Sequence, residues 1–258
     1  MKNKKSLGQN WLKDRAILDE IADLAMLDPS SDPAAPLPDS LCLEIGPGLG
    51  TLTSSLLRRF SHVYAVEYDA ALAANLPKSF PGKNLTVKHQ DFLQFDLATI
   101  KEPYVVAGNI PYYITSPIIT KLLTATPQPQ KIVLLIQKEV AERIAAKTGN
   151  HTYLSIFVGS HAEITLGPIV KREFFTPPPK VDSAVIILKP HAPLLSPAEL
   201  KLVRTGFSNP RKKLVKNLPY DKTVLLKVFQ ELNLSPDVRP AELSIKSWKS
   251  LAKNLQVV

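Results

Sequence analysis

The run Glu44-Ile-Gly46-Pro-Gly48-Leu-Gly50 constrains this chain more than any other feature. It lies between a short apolar run at 41–45 and a helical pattern at 51–60, so its glycines fall where a strand becomes a helix. Glycine at such a junction lets the backbone approach a ligand closely and take φ values closed to other residues. Downstream the alternation continues. Residues 62–67, 84–89, 104–108 and 131–137 read as strands, helices are predicted over 69–76, 117–126 and 138–147, and a late β-rich run covers 183–190. This order predicts an α/β fold, a parallel sheet with helices on both faces. A helix over 14–27 precedes it, and the proline-rich stretch 28–40 reads as a surface loop.

After Pro190 the pattern changes. A linker-like stretch leads into segments with helical spacing at 197–206, 210–218, 223–232 and 245–255. Two domains are expected, an α/β one over 1–190 and a small helical one over 191–258, which suits 258 residues. Charge follows the same division. Residues 1–13 hold four lysines and no acid, and 190–258 hold twelve Lys/Arg against five Asp/Glu, whereas 14–189 hold sixteen basic and eighteen acidic residues. Basic ends on a near-neutral body suggest a polyanionic partner, because neutralised phosphates release condensed counterions. A merely solvated surface is the alternative.

Single Cys42 excludes an internal disulfide framework and a cysteine-based zinc site. The five histidines show no pairing at helical or hairpin spacing, so no metal is expected. The first residues carry no apolar stretch of signal-peptide length. Residues 103–120 are uncharged, but Pro103, Gly108, Pro111 and Pro117 break them, so no membrane span is expected. A soluble, cytoplasmic protein is the expectation.

Ligands in such folds bind at the carboxyl ends of parallel strands. Glu67 ends the second strand, where its carboxylate can accept hydrogen bonds from both ribose hydroxyls of an adenosine-containing cofactor. Asp91, just past the third, can take an adenine amino group. Gly46 and Gly48 are spaced GxGxG rather than GxGxxG, and Glu44 would repel a pyrophosphate, so S-adenosylmethionine is favoured over a dinucleotide. A bare tight turn, with Glu67 and Asp91 as plain caps, remains open.

Asn109-Ile110-Pro111-Tyr112 follows the fourth strand, on the same sheet edge. An adenine amine is a poor nucleophile because its lone pair is delocalised into the ring. Acceptance of its hydrogens by the Asn109 side-chain carbonyl and the Ile110 backbone carbonyl would favour a pyramidal nitrogen. Pro111 biases Ile110 toward extended backbone, aiming that carbonyl, and Tyr112 offers a ring for stacking. A buried amine would reach such a pocket only if its base were flipped out. An ordinary Asn-x-Pro turn is the plainer alternative. Further on, 174–183 is a proline-stiffened loop whose Phe175 either closes the other face of the base or packs in the core. In the stretch 209–216, Arg211, Lys212 and Lys216 are expected on the outer face of a helix, toward phosphates, with Leu214 and Leu218 inward.

Together these segments resemble the KsgA (RsmA) family of ribosomal RNA adenine dimethyltransferases. Residues 7–12, LGQNWL, are similar to the family's LGQNFL; residues 44–50 read EIGPGLG, and residues 175–185 read FTPPPKVDSAV. The resemblance implies a Rossmann-like class I methyltransferase sheet. It implies S-adenosylmethionine held by Asn10, Leu12, Gly46, Gly48, Glu67, Asp91 and Asn109, with Ile110, Pro111, Tyr112 and Phe175 at the target base. It also implies dimethylation of N6 on two adjacent adenosines near the 3′ end of 16S rRNA in the small ribosomal subunit, RNA contact by the basic domain, and a possible second role in checking ribosome assembly. A monomer is expected. Tyr113 stands where the family often has Asn. Two rivals stand beside it: the large-subunit rRNA methyltransferases of macrolide resistance, which share Asn-Ile-Pro-Tyr, and a binding protein with a vestigial cofactor pocket.

Overall fold

The computed structural model describes residues 9–27, 37–146 and 149–257. The amino-terminal lysines Lys2, Lys4 and Lys5, with Leu7 and Gly8, lie outside the described residues, as do 28–36 of the proline-rich stretch and Lys147.

In chain order the elements are β1 (Trp11–Leu12), α1 (Arg15–Ala25), β2 (Leu37–Ile45), α2 (Thr51–Leu56), β3 (Phe60–Glu67), α3 (Ala70–Ser79), β4 (Leu85–His89), β5 (Tyr104–Asn109), α4 (Thr115–Leu123), β6 (Lys131–Gln137), α5 (Lys138–Ile144), α6 (Tyr153–His161), β7 (Ala162–Val170), β8 (Phe175–Thr176), β9 (Ser183–Pro190), α7 (Pro197–Gly206), α8 (Lys222–Glu231) and α9 (Ile245–Asn254). Seven strands form one sheet in the order β4-β3-β2-β5-β6-β9-β7. The first five are mutually parallel, and β9 runs antiparallel to β6. The sheet is therefore α/β as expected, with an antiparallel pairing that the alternating pattern did not announce.

The strands form where continuous apolar runs can be buried on both faces. Val105, Ala107, Val133 and Leu135 share one core cluster with Leu18, Ile21, Ala22 and Ala25 of α1. Val106, Ile132, Leu134 and Ile136, at the alternate positions, are equally buried, so the other face is covered too. Helix starts follow capping chemistry. Asp14 accepts from the Ile17 amide at 3.0 Å, and Asp69 from those of Ala71 and Leu72 at 2.9 and 3.3 Å.

The chain divides into two compact units, Met1–Ala141 with Thr165–Pro190, and Glu142–Ile164 with His191–Val258. One boundary between the units falls after Pro190. Residues 142–164, expected in the first domain, belong instead to the second. The reason is visible in α6, whose Ile156 sits in the core of the second unit with Trp248, Phe229 and Leu214. Two further expectations change. The strand β2 already begins at Leu37, inside the stretch expected to be loop. The helix expected over 210–218 is absent: turns lead to a single 3-10 turn at Leu214–Lys216. Leu214 and Leu218 are buried as expected, the first at the start of this turn and the second past its end.

Candidate active site

The first unit holds a cavity of about 290 Å³, at the small end of the range for small-molecule sites. Its walls come from the carboxyl ends of four adjacent parallel strands: Glu44–Gly48 after β2, Val66–Tyr68 at β3, Gln90–Leu93 after β4 and Asn109–Ile114 after β5. Gln9, Asn10 and Trp11 add a fifth wall. This is the place where α/β sheets bind ligands.

The glycines of the turn have different tasks. Gly46 has φ +66°, and a Cβ placed on it would meet nothing within 4 Å, so its missing side chain leaves open space in the cavity wall. Gly50 has φ +82°, and a Cβ there would lie 2.7 Å from Leu76 and 2.8 Å from Phe80. The first glycine makes room for a ligand and the other for α3 and its end.

Glu67 is buried, with one oxygen accepting from the Gly48 amide at 3.0 Å and the other from the Asp69 amide at 2.8 Å. Burial raises its pKa, and those two amides oppose the rise. The Tyr68 amide opposes the rise as well, and the carboxylate still keeps acceptor capacity toward the cavity. Asp91 receives the Leu93 amide on Oδ1 at 2.9 Å, capping a 3-10 turn, so it is a cap as well as a cavity wall. Glu44, not singled out as a site residue by sequence, is 1% exposed and accepts from Thr53 Oγ1 at 2.6 Å. Burial pushes its pKa up to about 8, Thr53 opposes this, and the charge of Glu67 adds to it. These residues fit a cofactor with sugar hydroxyls, an adenine amine and positive charge. Hydroxyls and amine can donate to Glu67 and Asp91, and a cation would favour the ionised form of both buried glutamates.

Asn109 ends β5 and donates from Nδ2 to the Asn10 backbone carbonyl at 3.0 Å. That contact orients the amide and leaves Oδ1 as the acceptor. Ile110 is buried, Pro111 has φ −59° and ψ 134°, and Tyr112 lies against the hydroxyl of Ser183 at 2.7 Å. Burial raises the pKa of Tyr112. Ser183, which sequence reasoning did not select, thus fixes the Tyr112 ring from the start of β9. Its only sequence signal was its place inside FTPPPKVDSAV.

Leu12 and Phe175 are placed differently from expectation. They face each other in the short β1–β8 ribbon, and Lys13 N–H donates to the Phe174 carbonyl at 3.2 Å. Both side chains are buried in the core shared with α1, and neither is among the cavity walls. Alternation explains it: Trp11 and Leu12 point to opposite faces of the ribbon, and Trp11 is the one at the cavity. In this arrangement Phe175 packs the core and does not close the pocket. Asn10, Gly46, Gly48, Glu67, Asp91, Asn109, Ile110, Pro111 and Tyr112 all line the cavity.

In the second unit Arg211, Lys212 and Lys216 are exposed, while Lys213 is held by Asp237. Asn217 secures this segment, donating to the carbonyls of Gly206 at 2.6 Å and Asn209 at 3.0 Å. Among the described residues no helix is long and apolar enough to cross a membrane, and no group of three or more His, Cys, Asp or Glu is placed to hold a metal ion.

Residues 1–256 match the family model described as ribosomal RNA adenine dimethylase. A protein of Rippkaea orientalis named ribosomal RNA small subunit methyltransferase A is 40% identical, over 99% of this chain and 98% of its own length. One of the same name from Geobacillus kaustophilus is 39% identical, over 98% of this chain and 90% of its own. Among solved structures, a dimethyladenosine transferase from Plasmodium falciparum superposes with a TM-score of 0.78 at 30% identity, covering 95% of this chain and 97% of that one. The 23S rRNA methyltransferase ErmE superposes with a TM-score of 0.74 at 29% identity, covering 95% and 99%.

Proposed function

The chain belongs to the ribosomal RNA adenine dimethylase family, and from that premise we propose that it dimethylates N6 of two adjacent adenosines near the 3′ end of 16S rRNA in the small ribosomal subunit. The observation that carries this reading is the Asn109–Tyr112 turn, held at the cavity by the bonds of Asn109 to Asn10 and of Tyr112 to Ser183. S-adenosylmethionine is the proposed cofactor, with Asn10, Gly46, Gly48, Glu67, Asp91 and Asn109 around it. When bound, it supplies a methyl group on a cationic sulfur, an electrophile that needs only an aligned nitrogen lone pair.

The chain's own residues then do the positioning. In the first transfer Asn109 Oδ1 and the Ile110 carbonyl accept the two amine hydrogens and turn the nitrogen lone pair out of conjugation; in the second they hold the one hydrogen that remains, and after each transfer the methylated nitrogen releases a proton past these acceptors to solvent. Tyr112 supports the base by stacking, a contact worth about 1–3 kcal/mol. No general base is needed before attack, so orientation dominates the rate. The target base is flipped out of its strand to reach this turn. Arg211, Lys212 and Lys216 neutralise RNA phosphates, the protein works as a cytoplasmic monomer without a metal, and occupancy of the immature particle gives it a checkpoint role in assembly. The 40% identity to relatives named for the small subunit, against 29% to ErmE, favours the small subunit over 23S rRNA.

The test is methyl transfer from labelled S-adenosylmethionine to undermethylated small subunits and, in parallel, to large-subunit RNA, with digestion to nucleosides. Dimethyladenosine on small subunits alone is the expected result. Asn109→Ala should lower turnover at least about 100-fold, the cost of a misplaced reacting group, while particle binding persists. Label on large-subunit RNA would move the substrate assignment, and binding without any label would make this a non-enzymatic assembly factor.

A further inference from the structure

Tyr113 is 65% exposed, the highest value among the exposed large apolar side chains of the described residues, and it also lines the cavity. Its neighbour Tyr112 is anchored by Ser183, but Tyr113 has no hydrogen-bond or ring partner among the described residues. The backbone beneath it is nevertheless held. Ile114 N–H donates to the Pro111 carbonyl at 3.3 Å, Thr115 Oγ1 donates to the Tyr112 carbonyl at 3.1 Å, and Thr115 opens α4, whose Ile118, Ile119, Leu122 and Leu123 are buried. A fixed turn thus presents an uncovered aromatic ring at the cavity mouth.

We infer that Tyr113 stacks on the nucleobase adjacent to the one being methylated, holding it outside the cavity while its neighbour is inside. The inference rests on the reading of the site as one for adjacent adenosines. Extruding a base strips its neighbour of a stacking partner, and an exposed ring restores a π-face to it. The sheet order places the contact on the substrate side. Glu67 and Asp91 lie at the ends of β3 and β4, to one side of β2, and Tyr113 follows β5 on the other. Tyr68, 59% exposed, also lines the cavity but follows Glu67, on the cofactor side.

The experiment compares the protein with Tyr113→Ala and Tyr113→Phe on undermethylated small subunits. Cofactor affinity is followed separately by the fluorescence of Trp11 at the cavity wall. Tyr113→Ala should raise the KM for subunits about tenfold, with a smaller change in kcat and unchanged S-adenosylmethionine affinity. Tyr113→Phe should restore the KM to within about twofold, because stacking uses the ring and not the hydroxyl. An unchanged KM in Tyr113→Ala, equal damage in both variants, or a parallel loss of cofactor affinity would each overturn the inference. Failure of the unsubstituted protein to dimethylate small subunits would instead overturn the underlying reading, and this inference with it.

Discussion

The cavity walls in the first unit and the basic segment 209–217 in the second reach order by opposite routes. The walls are the ends of parallel strands, so strand register places their side chains: Glu44 pairs with Ala65 and Ala107, and Val66 precedes Glu67 along β3. The basic segment has almost no regular structure, and its shape comes from individual bonds. Asn217 reaches Gly206 and Asn209, Lys213 reaches Asp237, and the Leu214 amide donates to Val238 at 2.7 Å. A periodic pattern therefore foretells the first region, whereas the second depends on partners far along the chain.

The sharpest way to strain this contrast is within the glycine turn. Gly50→Ala forces a Cβ against Leu76 and Phe80 at positive φ and should cost about 2–4 kcal/mol of stability. Gly46→Ala carries only the backbone penalty of about 1–2 kcal/mol, yet it should weaken S-adenosylmethionine binding at least about tenfold, because its methyl enters the cavity. Denaturant melts and cofactor titrations of both variants would show this crossing. Equal effects on both readouts would mean that the turn acts as one unit.

Next in size is a pH effect at Glu44. Its carboxyl has a pKa of about 8 in the folded chain, above the ordinary 4.5. The folded state then binds more protons than the unfolded one between those values, so stability is full below about 4.5 and falls as pH rises toward 8. Glu44→Gln should flatten that fall by on the order of 2 kcal/mol, or about 4–8 °C in Tm between pH 5 and 8. Parallel pH profiles of the two proteins would remove Glu44 as the cause.

The smallest effects belong to the basic segment. Asn217→Ala should lose about 1–2 kcal/mol, since two carbonyls lose their donor. Replacing Arg211, Lys212 and Lys216 together with Ala should leave Tm nearly unchanged while lowering the slope of log affinity against log salt by about 0.7 per residue. If the triple variant melted earlier and kept its salt slope, the segment would be structural and the phosphate contacts would lie elsewhere.

The parts of the molecule legible in the sequence are those where one local rule suffices. KIVLLIQ and SAVIILKP became β6 and β9 with the expected bounds, and Asn109 with Tyr112 fell at a strand end beside the glycine turn. Edge strand β7 was not visible, because most of its residues are half-buried or exposed and Pro168 interrupts it. In α6 the apolar residues Leu154, Ile156, Phe157 and Val158 surround the helix without a clear stripe, so nothing announced that it belongs to the core built mainly by residues after 191. Leu12 comes from the family motif and Phe175 from its place in the proline-stiffened loop, and neither signal says which ribbon face a side chain takes. Leu214 and Leu218 have helical spacing, but only Leu214 lies in the 3-10 turn, and Leu218 is buried past its end. Ser183 and Glu44 matter through one bond each, to Tyr112 and Thr53, and such pairings leave no periodic trace.

The β1–β8 ribbon joins segments about 160 residues apart, and Asn109 takes its orientation from Asn10 in the same amino-terminal stretch. During synthesis at about 5–20 residues per second, Leu12 must therefore wait roughly 8–30 s for Phe175 to be made. The parallel strands and their glycine turn can be complete well before then. The nascent protein thus acquires the strand-end walls of its cavity early and the amino-terminal wall with its clasp late, and translation itself sets the order in which the two become available.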